Sequence, residues 1–261
     1  MLKIIFAAGV ALSLVAGTLA DYVAEREKAV KLMYSGEAAE ALAIFTNLAA
    51  NASSDFQKSD ALELAANCAH NLKKQDLALE LAGQIPMAGV SKQCRMNILL
   101  NAGKYADLIA AFKAEDIESW PAGESVIARG LYYRGSAYAR LKDGAAAESD
   151  LKKAYAHPAD ENTAGGILFA LGNNYRDNIK DDVRALEAYK MIIDNVKSFY
   201  AYNFVLLPAA VILRGQGKHD EALKLLASAD LSRSNPHTRV AFLGEWGETL
   251  AGHGKKAEAI A

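Results

Sequence analysis

Apolar positions in this chain return at helical spacing, and they do so in pairs of segments. Ala147, Leu151 and Ala154 fall at i, i+4 and i+7, on one face of a predicted helix. The stretch before them, GLYYRGSAYARLK, carries Gly135 and Tyr138 three apart on a second helix, and Asp143-Gly144 reads as the turn between the two. The same text returns in LGNNYRDNIKDDVRALEAYKMIID, where Leu171, Gly172 and Tyr175 precede Ala185 and Tyr189. It returns again in GQGKHDEALKLLASAD, with Gly217 in the turn, then Ala222, Leu226 and Ala229. Weaker copies stay in phase: Gly36, Ala41 and Phe45; Lys73-Lys74-Gln75, then Ala78 and Ala82; Gly103-Lys104-Tyr105, then Leu108 and Phe112; Trp246-Gly247, then Leu250, Gly254 and Ala259.

The residues that open the second helices are Ala41, Ala78, Leu108, Ala147, Ala185, Ala222 and Ala259, at successive intervals of 37, 30, 39, 38, 37 and 37. A fixed period of this size marks a repeat architecture, in which each unit buries its apolar face only by stacking on the next. The small residue has a physical role. Two antiparallel helices approach closely only where neither is bulky, so glycine or alanine sits at the crossing and a large residue one turn away fills the wedge. The short interval before Leu108 predicts irregular packing around Ser91 to Ala111. The last repeat stops at Ala261, inside its second helix, which leaves backbone groups uncapped. The expectation is that the natural chain continues; the alternative is that Leu243, Trp246 and Leu250 form a docking edge.

The first twenty residues are different text. Lys3 is followed by the uncharged run IIFAAGVALSLVA, then by Thr18-Leu19-Ala20 and the charged Asp21. This is the layout of a secretory signal peptide over 1–20, with the mature chain starting near Asp21. The alternative is an uncleaved anchor, for which the run is at the lower limit of about 20 residues. No other run is long enough to span a bilayer. The expected location is therefore outside the cytoplasm, periplasmic or secreted.

Composition agrees with helices: 52% of residues are hydrophobic but only 8% aromatic, and five prolines are spread over 261 residues. A formal charge of −2 gives no support to nucleic-acid binding. Cys68 and Cys94 fall on neighbouring first helices; they are either two buried thiols or, in an oxidising compartment, a disulfide. His70, His157, His219, His237 and His253 are far apart and form no metal spacing. Gly215-Gln216-Gly217-Lys218 lacks the second half of a phosphate loop and reads as a repeat turn. Glu115, Asp116 and Glu118 read as a solvated turn. With no nucleophile elbow and no acid–base pair, an enzyme is not expected, and neither a cofactor nor a metal is called for.

The repeat resembles the tetratricopeptide repeat (TPR) family over about 22–261. Its first two copies, through AVKLMYSGEAAEALAIFTNLA, are similar to those of periplasmic envelope-assembly adaptors. The resemblance implies an all-α fold: a right-handed α–α superhelix, or solenoid, of about seven TPR-like helix-turn-helix repeats, the last incomplete, over 21–261. It also implies that one face of each first helix lines a concave groove. The repeat phase puts Arg129, Tyr132 and Arg140 there, then Phe169, Asn173 and Arg176, then Phe204, Leu207 and Arg214, with Asn67 and Asn97 at the level of Asn173. Arginine and tyrosine are strong binding residues, and asparagine can pair with an extended backbone. The set departs from the two-lysine, two-asparagine clamp of some members, so capture of a chaperone's terminal carboxylate is not expected. The resulting expectation is a non-catalytic scaffold or adaptor that binds an extended, acidic segment of another protein. The alternatives are a spacer or oligomerising segment of a larger secreted protein, and the repeat region of an enzyme or sensor extending past Ala261.

Overall fold

The computed structural model describes residues 19–157, 159–196, 201–232 and 235–254. All regular structure among them is helical. The chain divides into two compact units, 1–87 and 88–261. The expected signal segment up to residue 18, the last second-helix opener Ala259 and the end at Ala261 lie outside the described residues.

The first unit contains α1 (Leu19–Ser35), α2 (Ala38–Ala50), α3 (Asp55–Asn71) and α4 (Gln75–Gly83), each packed on the next. The second contains α5 (Ala88–Asn101), α6 (Tyr105–Phe112), α7 (Glu124–Arg140), α8 (Gly144–Ala156), α9 (Glu161–Asn174), α10 (Asp182–Asn195), α11 (Tyr202–Gly215), α12 (His219–Ala227) and α13 (Pro236–Gly252). Consecutive helices pack together, and first helices also touch first helices: α7 meets both α5 and α9, and α11 meets α13.

The opening residues of the second helices are where the period puts them. Ala41, Ala78, Leu108, Ala147, Ala185 and Ala222 are all fully buried, as are their large partners Phe45, Leu151 and Tyr189. Each such large side chain contributes about 1.5–3 kcal/mol by leaving water. The close crossing is visible at two glycines. A Cβ on Gly135 would fall 2.9 Å from Leu151 Cγ, and one on Gly172 would fall 2.3 Å from Tyr189 Cε1.

One backbone device recurs at the turns inside the repeats. Five residues before each second-helix opener stands a residue of positive φ: Gly36, Lys73, Gly103, Lys142, Lys180, Gly217 and, before Ala259, Gly254. It reverses the chain after each first helix. The next N–H then closes the turn onto a carbonyl five residues back, as in Lys74 N–H to Ala69 O, Lys104 N–H to Leu99 O, Asp143 N–H to Tyr138 O and Lys218 N–H to Leu213 O. Asp143-Gly144 is therefore not the reversal itself. Lys142 reverses the chain at φ 67°, and Asp143 caps α8 by accepting from Ala146 N–H. Gly144 is the first residue of α8, where a Cβ would crowd Asn178 and Ile179 at 3.1 Å.

The third repeat is irregular, as its short interval predicts. Helix α6 spans only Tyr105–Phe112, and α5 packs more extensively on α7 than on α6. The following segment is solvated only in part: Asp116 and Glu118 are exposed, while Glu115 is half-buried. Ile117 and Trp120 are buried, and Gly130 of α7 leaves room for them. Glu115 takes a 2.7 Å bond from Lys92 Nζ and a 3.1 Å bond from Trp120 Nε1, while Glu118 pairs with Lys153. Arg134 lies behind this plug, forked onto Asp150 at 2.6 and 2.9 Å and donating to the carbonyls of Phe112 and Glu115. In α13, Leu243 is exposed, while Leu250 is buried.

Cys68 and Cys94 both remain buried thiols, and burial pushes the Cys68 thiol up to about 11. A group with that affinity for its proton is a packing residue at neutral pH.

Candidate functional site

A cavity of about 920 Å³ lies along α7 and α9, with Leu100, Asn101 and Tyr105 of the α5–α6 corner in its lining. A smaller one, of about 180 Å³, adjoins it, sharing Tyr132 and Gly166. Tyr132, Arg140, Phe169, Asn173 and Arg176 all line the large cavity, and Arg129 lines the small one. The two central triads read from the repeat phase therefore share one concave wall.

The other expected residues stand elsewhere. Phe204 is exposed on α11 and lines neither cavity. Arg214 bridges α11 to α13, forked onto the buried carboxylate of Glu245 at 2.6 and 3.1 Å and reaching Glu248 at 2.8 Å. Asn97 accepts a 2.7 Å bond from Asn101, so Asn101 presents to the cavity and Asn97 backs it. Asn67 belongs to α3 of the first unit.

The wall nearest α10 departs from the repeat rule. After α9 the chain runs through a π-helical turn, Tyr175–Ile179, before Lys180 reverses it at φ 62°. The closing bond here runs from Asp181 N–H to Tyr175 O, six residues back rather than five. The cause is one extra residue. The crossing glycine precedes the second-helix opener by 12 positions in the Gly135–Ala147 pair and by 13 in the Gly172–Ala185 pair. A π turn absorbs a single insertion inside a helix and is frequent at functional sites. It turns Arg176, Asp177 and Asn178 onto the cavity beside Asn173 and Asn174.

These amides are held in place. Asn174 Nδ2 donates to Gly144 O at 2.9 Å, and Asn178 Nδ2 reaches Ala139 O at 3.0 Å and Asn174 Oδ1 at 2.8 Å. Asn178 Oδ1 is buried with no partner among the described residues. Asn173 Oδ1 accepts from the Tyr189 hydroxyl at 2.8 Å. Tyr189 is fully buried beneath it, and burial pushes its phenol well above the usual range, so it stays a neutral donor.

The charges divide into two kinds. Arg176 is forked onto Asp177 at 2.7 and 2.9 Å, and that contact holds the Asp177 carboxyl below the usual range. Arg140 stands at the end of α7 beside Lys142 of the same wall, and no described residue pairs with it. Arg129 is half-buried, and its Nε has no hydrogen-bond partner among the described residues. Sequence reasoning did not find Leu100, Asn101, Tyr105 or the π-turn residues Asp177 and Asn178; the 13-residue spacing was the signal for the last two.

The described residues contain no group of three His, Cys, Asp or Glu able to hold a metal ion, and no helix long and apolar enough to cross a membrane. No protein-family model matches the chain, and no curated protein is significantly similar to it in sequence.

Proposed function

We propose that this chain is a non-catalytic scaffold of the tetratricopeptide type, a right-handed superhelix that holds an extended segment of another protein along the α7–α9 cavity. The N-terminal layout of the sequence supports an exported protein working in the cell envelope or outside the cell. The observation that carries the reading is the cavity wall itself. Amides, aromatic rings and two arginines without a partner among the described residues share one concave surface, and the π turn that completes it adds Arg176, Asp177 and Asn178 to that surface. Such a surface offers backbone partners, flat ring faces and charge to an extended chain.

The test places a photo-crosslinking amino acid at Ala170 on the cavity wall or at Ser149 on the exposed side of α8. The full chain is then irradiated in cells of its source. The expected result is one partner's peptides cross-linked from position 170 and absent from 149. Equal or no capture at the two positions overturns the scaffold reading in favour of a spacer.

A further inference from the structure

Among the described residues, most arginines are committed within the fold. Arg26 is forked onto Asp60, Arg134 onto Asp150, Arg176 onto Asp177, Arg184 pairs with Asp181 and Glu148, and Arg214 binds Glu245. Arg239 donates to the carbonyls of Leu231 and Ser232, and Arg95 lies over the Phe112 ring. Two remain without a partner among the described residues, Arg129 and Arg140, and both belong to α7. Leaving a guanidinium nitrogen buried and unpaired is unfavourable, a cost that a purely structural residue has no reason to bear. Arg129 lines the small cavity with Tyr132 and Tyr133, and its Nε is buried behind the guanidinium head without a partner.

The two arginines are eleven residues apart on one helix. Eleven residues make three turns to within about 20°, so both leave the same face, roughly 16 Å apart along the axis. Between them lie Tyr132, Ser136, Gly166 and Phe169, all on the cavity wall. An extended chain rises about 3.3 Å per residue and points every second side chain the same way. Residues i and i+4 therefore stand about 13 Å apart on one face, within the span the long arginine side chains can close.

We propose that the occupant of the groove is an extended peptide with two carboxylate side chains at i and i+4 and an apolar residue at i+2. One carboxylate is taken by Arg129 in the small cavity and the other by Arg140 at the end of α7. The i+2 side chain lies over Phe169 and Ala170. This rests on the scaffold reading above and adds to it the charge pattern of the partner. The Arg176–Asp177 pair, already neutralised, contributes no net charge to the recognition.

The test is fluorescence anisotropy of the full chain with the labelled peptide Ser-Glu-Thr-Leu-Thr-Glu-Ser. Comparison peptides have one glutamate replaced by glutamine, or the two glutamates adjacent. The expected result is affinity at least about tenfold higher for the i, i+4 peptide than for either comparison. Arg129→Met and Arg140→Met should each reduce it to the single-glutamate level. Arg129→Met should also raise the melting temperature, because it removes an unpaired buried N–H, so its loss of binding cannot be loss of fold. Arg129→Lys, which keeps a charge but not the planar fork, should bind weakly. Binding that is indifferent to carboxylate spacing, unchanged in Arg129→Met, or absent for all three peptides overturns this proposal. If cross-linking from position 170 persists in any of those cases, the scaffold reading stands and only the charge pattern is wrong.

Discussion

Gly172→Ala is the most informative single change in the core. The added carbon would lie 2.3 Å from Tyr189 Cε1, 2.7 Å from Cδ1 and 2.9 Å from Cζ. Comfortable carbon–carbon contact begins near about 3.5 Å, so the ring must move by roughly 1 Å. It has nowhere to go: Tyr189 is fully buried, and its hydroxyl is tied at 2.8 Å to Asn173, the residue next to Gly172. Overpacking of this kind costs about 1–3 kcal/mol, and losing the hydroxyl bond adds about 1. Exchanging glycine for alanine within a helix returns about 1 kcal/mol. The net expectation is a loss of about 1–3 kcal/mol in urea denaturation followed by circular dichroism. Tyr189→Ala removes the obstacle, and in that background Gly172→Ala should stabilise by up to about 1 kcal/mol. The sign reversal is the signature. If Gly172→Ala stabilises the parent protein, or costs the same in both backgrounds, the close crossing is not what fixes glycine there.

Three further outcomes are expected. Lys142→Gly should stabilise by up to about 1 kcal/mol, because a left-handed lysine costs roughly 1–2 and glycine's extra chain entropy offsets part of the gain; Gly217→Ala should destabilise by a similar amount, both read from urea midpoints. Arg134→Met should cost about 3–5 kcal/mol by stranding the buried Asp150 carboxylate, and Arg134→Met with Asp150→Leu should recover most of it. Hydrogen bonds from Lys92 and Trp120 hold the Glu115 carboxyl below the usual glutamate value, and one from Lys153 does the same for Glu118. With folded values depressed, their contribution is present above the ordinary glutamate value of about 4.3 and is lost as pH falls through the depressed ones. Trp120 fluorescence in a Trp246→Phe background should therefore report loosening of the 113–123 segment in that acid window. Both carboxylates are partly exposed, so the effect should shrink in high salt; a signal centred near neutrality would contradict it.

The helices and their pairing were legible because close crossing imposes a rule on sequence. Ala41, Ala78, Ala147, Ala185 and Ala222 cannot be enlarged, so their period survives where other positions drift. The turn glycines were half legible. Gly36, Gly103 and Gly217 announce the reversal, but lysine performs it three times, and a left-handed lysine leaves no trace in composition. The cavity wall followed from phase alone at Tyr132, Arg140, Phe169, Asn173 and Arg176. Phase says which way a side chain leaves its helix, not what meets it. Arg214 is consumed by Glu245, 31 positions onward, and Arg176 by its neighbour Asp177 within the π turn. The Trp120 plug was invisible for a related reason: a loop of charges reads as solvated unless its apolar residues are known to have a slot, and that slot is Gly130 on another helix.

The π turn also bears on how a protein of this kind can change. An extra residue in a helix normally rotates everything after it by about 100° and pushes it along by about 1.5 Å. Here the disturbance is spent within one turn. Ala185 and Tyr189 recover full burial in the next helix, so the insertion leaves both flanking interfaces in register. What it alters is the outside: which amides and charges face the cavity. Chain length thereby acts as a variable of surface chemistry independent of the core. One added residue can in this way change what a repeat presents to its cavity while the buried openers on either side keep their places.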